Sequence, residues 1–149
     1  MTVTSLPQVQ QAIYGRLMGD RPFMASVTGV FDAVPDGQAF PYIVIGDATE
    51  VPDRTLGQNG HQVTGFITVY TRDGAAVVGR TGSAGYATGL AIVSAAIELL
   101  TNEDGDDPLS VDGHDVVDVS VVSIDTSREK NDRAIVAQVL LLLEDDADA

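Results

Sequence analysis

Val9, Ala12, Ile13 and Leu17 fall three and four residues apart, the spacing that lays one apolar stripe along an α-helix. Ser5-Leu6-Pro7-Gln8 in front of them supplies an N-cap, an early proline and the Gln of a capping box. Gly19 closes the run, so a short amphipathic helix is predicted over Leu6 to Met18. A helical turn is expected between Arg21 and Thr28, and Val30-Phe31 reads as a short strand. Pro35-Asp36-Gly37 is a turn, because Pro fixes φ and Gly tolerates positive φ. The β-branched run after Pro41, Tyr42-Ile43-Val44-Ile45, reads as a buried strand that starts where a missing N–H does least harm. Val51 to Gly60 is a polar loop. From His61 to Thr71 the pattern alternates. Val63, Gly65, Ile67 and Val69 lie on one face, and Thr64, Phe66, Thr68 and Tyr70 on the other. These two strands are expected to pair as a wide hairpin.

In the second half, Tyr86, Leu90, Val93, Ile97 and Leu100 mark a helix, preceded by a glycine-rich stretch at 79–85. Small residues let such a helix approach a sheet closely, although an interior glycine costs about 1 kcal/mol of helix propensity. The acidic loop Asn102–Pro108 ends it. Asp112-Gly113, between Leu109–Val111 and Asp115 onward, is a tight-hairpin dipeptide. Val117, Val119 and Val121 alternate with Asp118 and Ser120, then Val122 and Ile124 switch to the opposite face. Thr126 to Asp132 reads as a charged connection, and Arg133 to Leu143 as a long final strand whose nearly continuous apolar run needs cover on both faces. The order α-β-β-α-β-β predicts an α+β fold: an antiparallel sheet of about four main strands with two principal helices packed on it. Residues 1–149 form a single domain on this reading, and the acidic segment 144–149 is expected to be a flexible tail.

Composition narrows the function. The chain carries 22 Asp and Glu against 8 Lys and Arg, a net charge of −14, which disfavours nucleic-acid binding and docking on anionic membranes. Aspartate dominates the acids, and Lys130 is the sole lysine. This bias resembles proteins of halophilic archaea and their viruses, where salt screens the self-repulsion over about 3 Å at 1 M. With no cysteine, thiolate and disulfide chemistry are excluded. No signal-peptide pattern and no membrane-length apolar run is present, so a cytoplasmic site of synthesis is expected.

No catalytic constellation emerges. His61 and His114 have no histidine three or four residues away, and there is no HExxH or GxSxG pattern. Gly79-Arg80-Thr81 only echoes a phosphate loop. Asp104-Gly105-Asp106-Asp107 lacks the ligand spacing of a calcium loop. The expectation is a non-enzymatic chain with no metal and no cofactor.

The stretch Gln10-Gln11-Ala12-Ile13-Tyr14-Gly15-Arg16-Leu17, then Val30-Phe31-Asp32-Ala33-Val34-Pro35-Asp36-Gly37-Gln38-Ala39-Phe40-Pro41-Tyr42-Ile43-Val44-Ile45-Gly46, resembles the tail-completion (tail-terminator, tail-to-head-joining) proteins of long-tailed phages and related gene-transfer particles. Gly60 to Arg72 is similar to the next strand of that family. The resemblance implies a virion protein of the neck that forms a ring, commonly a hexamer, on the head-proximal end of the tail tube. Its implied partners are further copies of itself, the tail tube protein and the head connector or stopper, with genomic DNA passing through the lumen unbound. Interaction residues are expected in two polar connections: Asp53, Arg54, Thr55, Gln58 and Asn59 in the first, and Arg128, Glu129 and Lys130 in the second. The alternatives are a head-completion or stopper protein of the same neck and a small cation-binding enzyme.

Overall fold

Residues 4–52, 60–73, 75–76, 83–101 and 109–145 are described by a computed structural model. Helix α1 (Leu6–Met18) follows the predicted stripe and buries Val9, Ile13 and Leu17. Its start departs from the capping box: Ser5 makes no side-chain cap. Instead the Ser5 backbone N–H donates to Glu50 Oε2 at 2.7 Å, and the Ser5 hydroxyl donates to the same oxygen. A carboxylate from a distant strand outcompetes the local partner because it offers a charged acceptor to both donors. A single turn, α2 (Arg21–Met24), is capped by Asp20, whose Oδ1 accepts from Phe23 N at 2.9 Å.

The strands are β1 (Val30–Phe31), β2 (Tyr42–Pro52), β3 (Gly60–Arg72), β4 (Ala75–Ala76), β5 (Ser83–Ala84), β6 (His114–Glu129) and β7 (Asp132–Asp145), with α3 (Tyr86–Thr101) between β5 and β6. The main sheet has the order β1-β2-β3-β7-β6. Four long strands pair antiparallel, as expected from the alternation. The sheet is nevertheless mixed and five-stranded, because β1 adds to β2 in parallel through Val30↔Ile43 and Phe31↔Val44. β4 and β5 form a separate two-stranded ribbon.

Two sequence expectations are corrected here. Thr126 to Glu129 is not a connection: these residues pair with β7 up to Glu129↔Asp132, leaving only Lys130-Asn131 as the turn. Backbone pairing decides this, whereas the polar side chains on both faces had suggested a loop. Glu144 and Asp145 also belong to the ladder, opposite Asp115 and His114, so the acidic segment begins inside a strand. The Asp112-Gly113 turn stands, with Gly113 at φ +77, but Val111 contributes a single bridge to His114 rather than a strand.

Helix α2 packs against α1 and α3, and these two helices pack on one face of the sheet. There, Val9, Ile13, Leu17, Ile92, Val93, Ala96 and Leu100 meet Ile43, Val63, Ile67, Val69, Ile135, Val139, Leu141 and Leu143. Helix α3 approaches most closely at Gly89, where an added Cβ would lie 2.6 Å from Ile135 Cδ1 and 3.2 Å from Thr71 Cγ2. The opposite face carries Val44, Thr64, Phe66, Thr68, Val136, Gln138, Leu140, Leu142, Ser120 and Ser123, and no described helix covers it.

Candidate interaction surfaces

Residues 53–59, which include the predicted Asp53, Arg54, Thr55, Gln58 and Asn59, lie outside the described residues, as does the acidic loop at 102–108. The second predicted group lies within the described residues. Arg128, Glu129 and Lys130 form the tip of the β6–β7 hairpin, and all three are exposed. Lys130 holds φ +56, a left-handed conformation uncommon for a residue with a Cβ. Arg128 braces the turn by donating from Nε to Lys130 O at 2.9 Å, and Asp73 N donates to Asn131 O at 2.7 Å.

Behind the tip, two bidentate ion pairs fasten the hairpin to β3 and the residue after it. Arg72 Nε donates to Asp132 Oδ1 at 2.6 Å and Arg72 Nη2 to Oδ2 at 3.3 Å. Arg133 Nε donates to Asp73 Oδ1 at 2.9 Å and Arg133 Nη2 to Oδ2 at 3.2 Å, with Arg128 Nη2 a further 3.5 Å from Asp73. These guanidinium hydrogen bonds hold the Asp73 and Asp132 carboxyls below the usual carboxylate range. Arg72 also lies over Phe40, 4.4 Å from the ring centroid, beside a stacked Tyr42–Tyr70 pair at 5.3 Å. Burial, and then the neighbouring Tyr70, push the Tyr42 hydroxyl up from its ordinary value. Three of the four cations at this end are thus engaged within the chain.

At the far end of the sheet, His61 and His114 meet edge to face at 5.5 Å, and Glu50 Oε1 lies 3.7 Å from His61 Nδ1. Helical spacing could not reveal a pair that arises across strands. Among the described residues no group of His, Asp and Glu is arranged to hold a metal ion. None of the described helices is long and apolar enough to cross a membrane.

The sheet's other edge carries a groove that the sequence did not single out. β2 bulges between Ile45 and Ala48, where Gly46 and Asp47 together face Phe66. Between this bulge and α1 lies a groove of about 820 Å³. Its floor is apolar, from Leu6, Val9, Ile13, Ile45, Ala48 and Phe66, and its rim carries Asp32 and Asp47. Both aspartates are exposed, and Gln10 Nε2 is 3.5 Å from Asp32 Oδ2. The only hint in the sequence was the break in alternation at Gly46-Asp47. No nucleophile–base pair lies in the groove, so its surfaces suit contact with another macromolecule better than chemistry on a small molecule.

Comparison with known proteins follows the same direction. The family model described as tail completion protein gp17 matches residues 11–142. Among solved structures, a chain of the "Virion of native gene transfer agent (GTA) particle" is 25% identical, with a TM-score of 0.71, covering 96% of this chain and 99% of that one. The gp17 protein of bacteriophage SPP1 shares the fold at 21% identity, with a TM-score of 0.56, over 99% of this chain and 95% of that one. No curated protein matches the chain.

Proposed function

From the premise that the chain belongs to the tail completion protein gp17 family, whose model spans residues 11–142, we propose that it is the tail terminator of a tailed virus or gene-transfer particle. The family is structural, so the chain is a virion assembly protein and not an enzyme. In this reading, copies close into a ring, hexameric in its simplest form, on the head-proximal end of the tail tube. The ring stops addition of tube subunits and offers its other face to the head connector or stopper. DNA traverses the lumen, and the net charge of −14 keeps phosphates from adhering to its wall.

The observation that carries the reading is the pairing of a full-length relative in a gene-transfer virion with surfaces built for contact. Those surfaces are a cationic hairpin tip and an acid-rimmed groove at opposite sheet edges. Particles assembled without this chain should yield tail tubes of uncontrolled length and heads with no tail attached. In an electron-microscopy map of the complete particle, the chain should form the ring that touches the last tube layer. A position against the head connector with another protein between it and the tube would overturn the reading in favour of a stopper.

A further inference from the structure

A ring closed by rotation needs two different surfaces on each copy that fit one another, because its contacts are heterologous. Resting on the ring reading above, we propose that the groove between α1 and the β2 bulge receives the outer side of the β6–β7 hairpin from a second copy of this chain.

The two surfaces stand at opposite edges of the sheet, the groove beside β2 and the hairpin on β6. One copy can therefore present its hairpin to a neighbour while its own groove is filled from the other side. Their chemistry is complementary. The groove is apolar at its floor and carries the Asp32 and Asp47 carboxylates on its rim. The hairpin carries Val122 and Ile124, 55% and 47% exposed, followed at the tip by Arg128, Glu129 and Lys130, where Arg128 is braced by Asp73 and Lys130 is the cation that projects beyond the ion pairs. Two aliphatic side chains this open on one strand keep apolar surface in water that a partner would cover. The groove offers them cover.

Alternative pairings of the same surfaces are worse. Groove against groove sets Asp32 and Asp47 against their own copies. Hairpin against hairpin sets Arg128 and Lys130 against theirs. Simple strand addition along the free edge of β6 is opposed by its two irregularities, between Val116 and Asp118 and between Val121 and Ser123. Bulges of this kind twist an edge away from a flat ladder. What remains is side-chain docking of the hairpin into the groove. The chain is strongly acidic, so a contact in which its scarce cations meet carboxylates of the next copy also offsets part of the repulsion between copies.

The chain contains no cysteine, which makes the pairing directly testable. Gln10→Cys places a thiol at the groove, and Asn131→Cys places one at the hairpin tip; both sites are exposed, and neither change alters a charged residue, although Gln10→Cys gives up the long 3.5 Å contact to Asp32. A short bis-maleimide in 1 M KCl should give covalent dimers only when the two single variants are mixed. The chain carrying both changes should give a ladder ending in a closed species. Asp112→Cys mixed with Gln10→Cys should give none. Lys130→Glu should weaken self-association at least tenfold by light scattering, and adding Asp47→Lys should restore it. If the wild-type chain assembles but the Gln10–Asn131 crosslink is absent, or either variant crosslinks to itself, this pairing is overturned and the ring reading stands. If the wild-type chain remains monomeric at every concentration, with and without tube ends, both are overturned.

Discussion

Gly89 is the point where α3 comes closest to the sheet, and replacing it with Ala sets two effects of similar size against each other. Ala in a helix interior is favoured over Gly by about 1 kcal/mol. The new methyl would stand 2.6 Å from Ile135 Cδ1, about 1 Å inside ordinary contact. Ile135 is fully buried, and Thr71 at 3.2 Å closes the other side, so neither neighbour can swing into solvent. Overpacking of this kind costs about 1–3 kcal/mol. The clash therefore wins, and Gly89→Ala should destabilise the chain by about 1 kcal/mol despite its better propensity. Ile135→Val alone removes the opposing methyl and should cost about 1 kcal/mol. The two changes together move one methyl from strand to helix, so the clash with Ile135 is relieved, only the 3.2 Å approach to Thr71 Cγ2 is left, and most of the propensity gain is recovered. The double variant should then lie within about 1 kcal/mol of wild type, where additivity would put it about 2 kcal/mol below. Urea unfolding at low protein concentration, with unchanged m-values, measures all four corners of the cycle. An additive cycle, or a Gly89→Ala chain more stable than wild type, would refute the close approach of α3.

Two further expectations follow from the charges. The Asp73 and Asp132 carboxyls are held below their ordinary values, near about 3.9, by Arg133 and Arg72, so the stability they contribute is present above that range. It is lost as pH falls through the lowered folded values. Protonating the remaining acids relieves self-repulsion and acts in the opposite direction, so the comparison that counts is with Asp73→Asn/Asp132→Asn: below about pH 4 the wild-type advantage in Tm should shrink to nothing. An advantage that persists at pH 2 would show that these pairs are not what the hairpin relies on. The net charge of −14 also predicts that Tm rises as KCl is raised from about 0.1 to 2 M, by screening; a flat or falling Tm would remove the halophilic explanation of the composition.

Much of this fold could be read along the chain because its signals are local. The three- and four-residue spacing of Val9, Ile13 and Leu17 locates α1, and the alternation from Val63 to Val69 locates β3 with its buried face. Reading failed where structure depends on partners far away. Val30-Phe31 was legible as a short strand, but its parallel pairing with Ile43 and Val44, which makes the sheet mixed, was not. The end of β6 has polar side chains on both faces, and bulges twice shift the phase before it, so its periodicity dissolves although its backbone stays paired. The groove is harder still. Asp32 and Asp47 come together because the parallel β1–β2 pair carries Asp32 back alongside the β2 bulge, a meeting no spacing rule anticipates. The cations at the hairpin tip stood out in the sequence because the chain has so few, but the turn itself is only Lys130-Asn131, shorter than the connection expected.

If hairpin and groove join neighbouring copies, they do so along the two lateral edges of the sheet, and that constrains the rest of the ring. If the sheets stand parallel to the ring axis, one broad face turns inward and the other outward. The helix layer forms one of these faces and the uncovered sheet the other. The uncovered face carries Thr64, Thr68, Ser120, Ser123 and Gln138, with Asp118 and Asp125 on β6, interleaved with the apolar Val44, Phe66, Val136, Leu140 and Leu142. Among the described residues its one arginine, Arg72, is occupied by Asp132 in a bidentate pair. Among the described residues such a surface offers hydroxyls, amides, carboxylates and aliphatic side chains but no guanidinium outside an ion pair, so it has little with which to hold phosphate. The helix layer, by contrast, exposes Tyr14, Met18 and Arg21, side chains suited to contact rather than to a water-filled passage. Formation of the Gln10–Asn131 crosslink would therefore favour the sheet as the lumen wall and leave the helices to face outward.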